Sequence, residues 1–172
     1  KASPHQKVKV AITDIDGVWT DGGMYYDMHA NELKKFNTSD SVGVLFLKLL
    51  DIPIAIITGE DSPIVSNRAK KLEIENVFLG AKDKLKIATE FCDNLNINLE
   101  EVAFIGDDIN DIKLLQAVGY SACPINAPEY VKEYAQHTIP VKGGEGAFRV
   151  FVEQLLKENK LLSKALEIYL KH

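Results

Sequence analysis

Val8-Lys9-Val10-Ala11-Ile12-Thr13-Asp14-Ile15-Asp16-Gly17 is the stretch on which the fold turns. Val8 to Thr13 reads as a compact apolar β-strand, and the two carboxylates and glycine that follow mark its end. Similar apolar runs recur at Pro53 to Thr58, Val77 to Leu79, Val102 to Ile105 and Tyr120 to Cys123. Continuous apolar strands of this kind belong to a parallel sheet covered on both faces. Helical spacing lies between them. It runs over Asp40 to Leu50, from a Ser62 cap and first-turn Pro63 to about Leu72, over Asp83 to Leu95, and over Asn110 to Ala117. Pro128 opens a short helix, and Gly146 begins one reaching Lys157. The alternation predicts an α/β fold, a Rossmann-like doubly wound parallel sheet.

One segment departs from the alternation. Residues 18–37 carry Asp21-Gly22-Gly23, the apolar Met24-Tyr25-Tyr26, a polar His29-Ala30-Asn31 and then Leu33 to Phe36. This reads as a β-hairpin flap leaving the end of the first strand. The chain up to 157 forms one domain, and 158–172 is a C-terminal tail, either a helix or a segment docking on another subunit. The segments between Asp14 and Thr58, and between Thr58 and Lys84, are too short for a separate lid, so no cap domain is expected.

Bulk properties narrow the function. The 172 residues, 46% hydrophobic and 26% charged, suit one soluble domain with a real core. A net charge of -5 gives no reason to expect nucleic acid or an anionic membrane as partner. No apolar run approaches the roughly 20 residues that cross a bilayer, and Lys1 to Gln6 lacks the apolar core of a signal peptide. Cys92 and Cys123 form no metal-type cluster and read as reduced, buried thiols of a cytoplasmic protein.

In an open parallel sheet, ligands bind beyond the carboxyl ends of the strands. Asp14 and Asp16 stand there. Crowding two carboxylates is costly unless a cation lies between them or one holds a proton. Both conditions suit phosphoryl transfer: magnesium can bridge Asp14 and phosphoryl oxygens, and a protonated Asp16 can serve the leaving oxygen. An Asp-Gly turn with a capping aspartate is the competing explanation.

Three further strand ends weigh against it. Thr58-Gly59 offers a hydroxyl and a free N–H to phosphoryl oxygens, although Thr-Gly also makes ordinary turns. Lys84 opens a helix, where its charge opposes the dipole; a bound phosphate would justify it, and simple solvation is the alternative. Gly106-Asp107-Asp108-Ile109-Asn110-Asp111 places three carboxylates after one strand, with Asp107 set to reach a metal and Asp108 or Asp111 available as caps.

Taken in order, these four motifs resemble those of the haloacid dehalogenase superfamily. Asp16, two residues after the nucleophile position, is similar to the phosphatase and phosphomutase branches, not to the transport ATPases, which have threonine there. A closer resemblance, to the capless phosphatases of phosphorylated 3-deoxy-ulosonic acids, rests on Thr13 to Gly22, on Phe36-Asn37-Thr38-Ser39-Asp40-Ser41, and on Gly143-Gly144-Glu145-Gly146-Ala147-Phe148-Arg149. It implies magnesium and a homotetramer whose active site is completed by a neighbouring subunit. Met24, Tyr25 and Tyr26 are candidates for that contact; packing on their own subunit competes. An acyl-phosphate site also needs shielding from water, and a second subunit supplies it where no lid exists.

The resemblance bears on the substrate too. A glutamate after Thr-Gly, here Glu60, matches the nonulosonate phosphatases, as does a basic helix reaching the adjacent site, here Arg68 and Lys71. The octulosonate phosphatases typically carry arginine after Thr-Gly. A 3-deoxy-nonulosonate 9-phosphate, a sialic-acid-type ester, is therefore the expected substrate, with 3-deoxy-D-manno-octulosonate 8-phosphate as runner-up. Arg68, Lys70 and Lys71 also read as a solvated face. Asn37, Thr38, Ser39, Asp40, Ser41 and Asn110 are expected to help bind sugar or phosphate, with helix capping by Ser39 or Asp40 as the competing role.

In the expected mechanism Asp14 is the nucleophile and Asp16 the acid and base. Asp14, Asp107 and the Asp16 carbonyl hold magnesium, while Thr58 and Lys84 neutralise the phosphoryl oxygens. A non-catalytic oligomerisation module, like those fused to some cytidylyltransferases, would be expected to have lost Asp16, Lys84 or Asp107, and all are present. A phosphomutase would need a lid to retain its intermediate.

Overall fold

The structure is a computed structural model and describes residues 8–172; the reading of Lys1 to Gln6 lies outside these. Six strands form one parallel sheet: β1 (Val10–Thr13), β4 (Ile54–Ile57), β5 (Asn76–Phe78), β6 (Val102–Ile105), β7 (Tyr120–Pro124) and β8 (His137–Ile139). Their order is β5-β4-β1-β6-β7-β8, and every neighbouring pair is parallel. The chain builds outward from β1 to β5 on one side and then restarts at β6 on the other. The strand order therefore reverses between β1 and β6, the position at which such sheets bind ligands.

Strand alternation divides the core into two layers. Ala11, Ile54, Ile56, Ala103 and Ile105 face one side, and Val10, Ile12, Ala55, Ile57, Val102 and Phe104 the other. The first layer is covered by α1 (Asp40–Leu49), α2 (Pro63–Lys71), α6 (Ala147–Glu158) and α7 (Leu162–Leu170). Trp19 stacks on Phe148 there, with ring centroids 4.6 Å apart. The second is covered by α3 (Lys84–Asn94), α4 (Ile112–Ala117) and the short α5 (Glu129–Lys132). Residues buried on both faces explain why the strands read as unbroken apolar runs.

Several boundaries follow from the expected local chemistry. Ser62 Oγ accepts the Ile64 N–H at 3.3 Å with Pro63 in the first turn, and Asp83 Oδ1 accepts the Lys86 N–H at 3.1 Å. One strand exceeds the sequence reading, since His137–Ile139 adds a sixth; of the two alternatives for the tail the helix is found, Leu162–Leu170, with Ala165 buried in the layer formed with α1 and α6. Between β1 and α1 the flap is a two-stranded antiparallel hairpin, β2 (Tyr25–Tyr26) with β3 (Glu32–Leu33). Among the described residues no helix is long and apolar enough to cross a membrane.

Candidate active site

β1 delivers Asp14 to the carboxyl edge of the sheet with its side chain almost buried. Its backbone is fixed from both sides. The Asp14 N–H donates to the Ile105 carbonyl of β6 at 3.0 Å, and the Thr13 hydroxyl donates to the Asp14 carbonyl at 2.7 Å. That hydroxyl in turn accepts the Trp19 indole N–H at 2.9 Å. Lys84, opening α3, brings its buried ammonium 3.0 Å from Asp14 Oδ1 and 2.7 Å from Asp111 Oδ1. The lysine that opposed its helix dipole is thus stabilised by two carboxylates of its own chain. Asp111 is fully employed, because its Oδ2 accepts the backbone N–H groups of Asp107 (2.9 Å) and Asp108 (3.1 Å). Asp108 in turn accepts the Ile109 N–H at 2.7 Å.

This packing has an electrostatic consequence. Burial, followed by repulsion from Asp111, drives the Asp14 carboxyl well above the usual carboxylate range, with Lys84 pulling the other way. Burial likewise pushes Asp107 up to about 6. Carboxylate oxygens of Asp14, Asp107 and Asp111 can all lie within 4.8 Å of one another. Hard oxygen donors crowded in this way suit a magnesium ion, whose charge would relieve the same repulsion. Asp111 is already committed to Lys84 and two N–H groups, which leaves Asp14 and Asp107 as the side chains freer to take a metal. The Asp16 carboxylate lies elsewhere, paired with Lys34 at 2.7 Å.

A cleft of about 400 Å³ opens over this floor, lined by Asp14, Asp16, Gly17, Gly22, Thr58, Gly59, Glu60, Asp107, Asp108 and Asn110. Gly17 has φ of +84°, a conformation that strains any other residue, and a Cβ there would also displace the Asp107 carboxylate from its place in the cleft. Gly143 is needed for the same reason, since its Cβ would collide with the Gly17 carbonyl. Asn126 ties the two together: its amide donates to the Gly17 carbonyl at 3.1 Å and accepts the Gly143 N–H at 2.8 Å.

Other expected site residues lie outside the lining of this cleft. Asn37 donates to the Gly144 carbonyl at 3.2 Å and accepts the Ser39 N–H at 2.9 Å, and Ser41 donates to the Thr38 carbonyl at 2.6 Å. Ser39 makes no side-chain cap. Asp40 is buried and accepts the Arg149 N–H at 3.0 Å, so it serves the start of α6. Arg68 and Lys71 stand on α2, with the Arg68 guanidinium 5.7 Å from the Phe36 ring centre. Sequence reasoning missed Lys34 and Asn126. Neither carries a local signal, because each acts through partners remote in the chain.

Residues 58–151 match the family model of haloacid dehalogenase-like hydrolases. The chain belongs to that family. Among curated proteins, the 3-deoxy-D-manno-octulosonate 8-phosphate phosphatase of Haemophilus influenzae is 36% identical over 152 residues, covering 88% of this chain and 84% of the relative. Among solved structures, the Moraxella catarrhalis phosphatase of the same name, in complex with magnesium, phosphate and a KDO molecule, superposes with a TM-score of 0.90 at 32% identity. The match covers 94% of this chain and 93% of that one. The cobalt-bound H. influenzae enzyme gives 0.86 at 33% identity, covering 94% and 97%. This hydrolase thus shares its fold, over more than nine-tenths of each chain, with phosphatases whose structures hold a divalent ion.

Proposed function

We propose that this hydrolase cleaves the phosphate monoester of 3-deoxy-D-manno-octulosonate 8-phosphate. The observation that carries the chemistry is the placing of Asp14 and Asp107 in one cleft with Asp16 and Thr58, with the ammonium of Lys84 buried 3.0 Å from Asp14 Oδ1. An Asp14 oxygen attacks phosphorus, the bond to the sugar oxygen breaks, and the proton of Asp16 passes to that oxygen. Asp16 then takes a proton from water, whose oxygen attacks the phosphorus of the aspartyl-phosphate, releasing phosphate and the Asp14 carboxylate. Lys84 and the Thr58-Gly59 turn oppose the charge on the transferring group. Asp14 and Asp107, with the Asp16 carbonyl, would hold magnesium, which supplies charge neutralisation at the phosphoryl oxygens when bound.

The substrate ranking rests on the relatives, which are phosphatases of the octulosonate ester. It reverses the order that Glu60 alone implies. Glu60 does line the cleft, and this keeps the nonulosonate 9-phosphate as the rival. Comparing kcat/KM for the two esters decides the question: preference for the octulosonate by tenfold or more is expected, and the opposite preference restores the Glu60 reading.

We also propose a homo-oligomer, a tetramer, in which a second copy shields the cleft. Supporting this, Tyr25, Tyr26, Met28 and Leu33 leave a large apolar surface exposed on the flap beside the cleft. Arg68 and Lys71, away from their own cleft, remain available to a neighbour's.

A further inference from the structure

Lys34 follows β3 on the returning arm of the flap. Its surroundings are open, since Tyr26 is 65% and Leu33 67% exposed, yet the Lys34 side chain is 0% exposed. Its ammonium donates to Asp16 Oδ1 at 2.7 Å and to Glu60 Oε2 at 2.6 Å. Glu32 Oε1 is 3.9 Å away and Met24 Sδ 3.7 Å. A cation withdrawn from water is stable only where carboxylates replace its hydration. Here they come from the loop after β1, the loop after β4 and the flap itself.

Both main partners line the cleft, and neither is held strongly otherwise. The Asp16 side chain keeps 27% of its surface exposed and that of Glu60 50%. Two carboxylates at the mouth of a cleft for a phosphate ester repel each other and the substrate. A proton donor must also stay within about 3 Å of the leaving oxygen. A free aspartate on a loop has too many rotamers to satisfy that alone.

We infer that Lys34 is a positioning residue for the hydrolysis: it holds Asp16 through Oδ1 and so leaves Oδ2 to carry the proton that passes to the leaving oxygen, and it fixes Glu60 at the cleft mouth. The inference rests on the phosphatase reading. It also gives the flap a part in the chemistry, because the flap delivers the ammonium that joins the two loops. A purely structural ion pair would cost stability when removed but would not discriminate between leaving groups.

The test uses the full chain with magnesium and two substrates, octulosonate 8-phosphate and p-nitrophenyl phosphate. An alkoxide needs a proton to depart, and nitrophenolate does not. Lys34→Met is expected to lower kcat on the sugar ester about 30-fold, part of the roughly 10²–10⁴ that acid catalysis supplies, with KM within about threefold. On the aryl ester the loss in kcat/KM, which reports phosphoryl transfer and not the later hydrolysis in which Asp16 is the base, should stay below about threefold, and in an Asp16→Asn background the substitution should add less than about twofold. Lys34→Arg should recover most of the rate. Lys35→Met, altering the exposed neighbour, serves as control. Equal losses of kcat/KM on both esters, a loss carried by KM, or full additivity with Asp16→Asn would overturn the assignment. If methionine prevents folding, Lys34→Gln must show the same dependence on the ester. A wild-type chain that cleaves neither ester overturns the phosphatase reading and this inference together, whereas an active wild type with an indifferent Lys34→Met overturns this inference alone.

Discussion

The floor of the cleft and the flap above it are held by different means. On the floor, Asp14, Lys84 and Asp111 are buried, and every charge has an opposite charge or a backbone N–H within 3.1 Å. The positions are set by strands β1 and β6 and by the first turn of α3, all tied to the main core. The flap pairs only two residues on each strand, and its Tyr25, Tyr26, Met28 and Leu33 side chains face solvent. Lys34 links it to the loops after β1 and β4 through Asp16 and Glu60. The difference separates the groups that transfer the phosphoryl from those that adapt: a rigid floor can carry phosphoryl transfer, while a lightly held flap, from which Lys34 reaches Asp16, can adjust to a sugar or to another subunit.

The sharpest way to break this division is at the floor. Asp14→Asn should lower kcat at least about 10⁴-fold, as loss of a nucleophile does. Stability should hold or rise, because burial and Asp111 both oppose ionisation of Asp14. Assay with octulosonate 8-phosphate, alongside thermal unfolding, checks both halves. Activity within tenfold of wild type would remove Asp14 from the mechanism. Asn at this position also leaves Lys84 with Asp111 as its remaining carboxylate, so the fold should survive the change.

At the flap the expected effect is smaller and depends on a second copy. Met28 is 92% exposed, so Met28→Asp should change the stability of an isolated chain by no more than about 0.5 kcal/mol. If the flap packs on a neighbour, the new charge is buried there. Sedimentation should then shift toward the monomer, and kcat/KM should fall about tenfold. A variant with unchanged sedimentation and unchanged kcat/KM would show that the flap surface stays in solvent.

The same contrast explains what was legible in the sequence. Asp14, Thr58, Lys84 and Asp107 each follow or open an element whose apolar or capping pattern is local, so parallel strands bring them to one edge. Features made by distant partners left no such trace. Lys34 reaches Asp16 and Glu60 across 18 and 26 residues, and a charge on a flap reads as solvated. Asn126 reaches Gly17 across 109 residues. β8 is three residues, His137-Thr138-Ile139, too short to show a period. Asp111 reads as a cap, and it is one, but its second oxygen also holds Lys84, which only the folded geometry reveals.

Asp40 marks the place where the flap ends and the buried body begins, and it offers the smallest and most selective test. Oδ1 caps α6 through the Arg149 N–H, while Oδ2 is buried with no hydrogen-bond partner among the described residues. Burial raises its pKa from 3.8 to about 6, opposed by that N–H and by the charges of Arg68 and Arg149. The folded-state value lies above the unfolded one, so the native state binds the proton more tightly. This favours folding below about pH 4 and is lost as pH rises through about 6, a difference of at most about 3 kcal/mol. Asp40→Asn keeps an acceptor for Arg149 and removes the charge. It should therefore stabilise the protein by about 1–3 kcal/mol at pH 7.5 and by much less at pH 4.5, measured by urea unfolding of both proteins at each pH. Other carboxylates titrate alike in the two proteins and cancel in the difference. An equal gain at both pH values, or a loss at pH 7.5, would mean that the ionised Asp40 carboxylate is compensated by groups that meet Oδ2 in the assembled protein, and would move this position from the body of the fold to its interface.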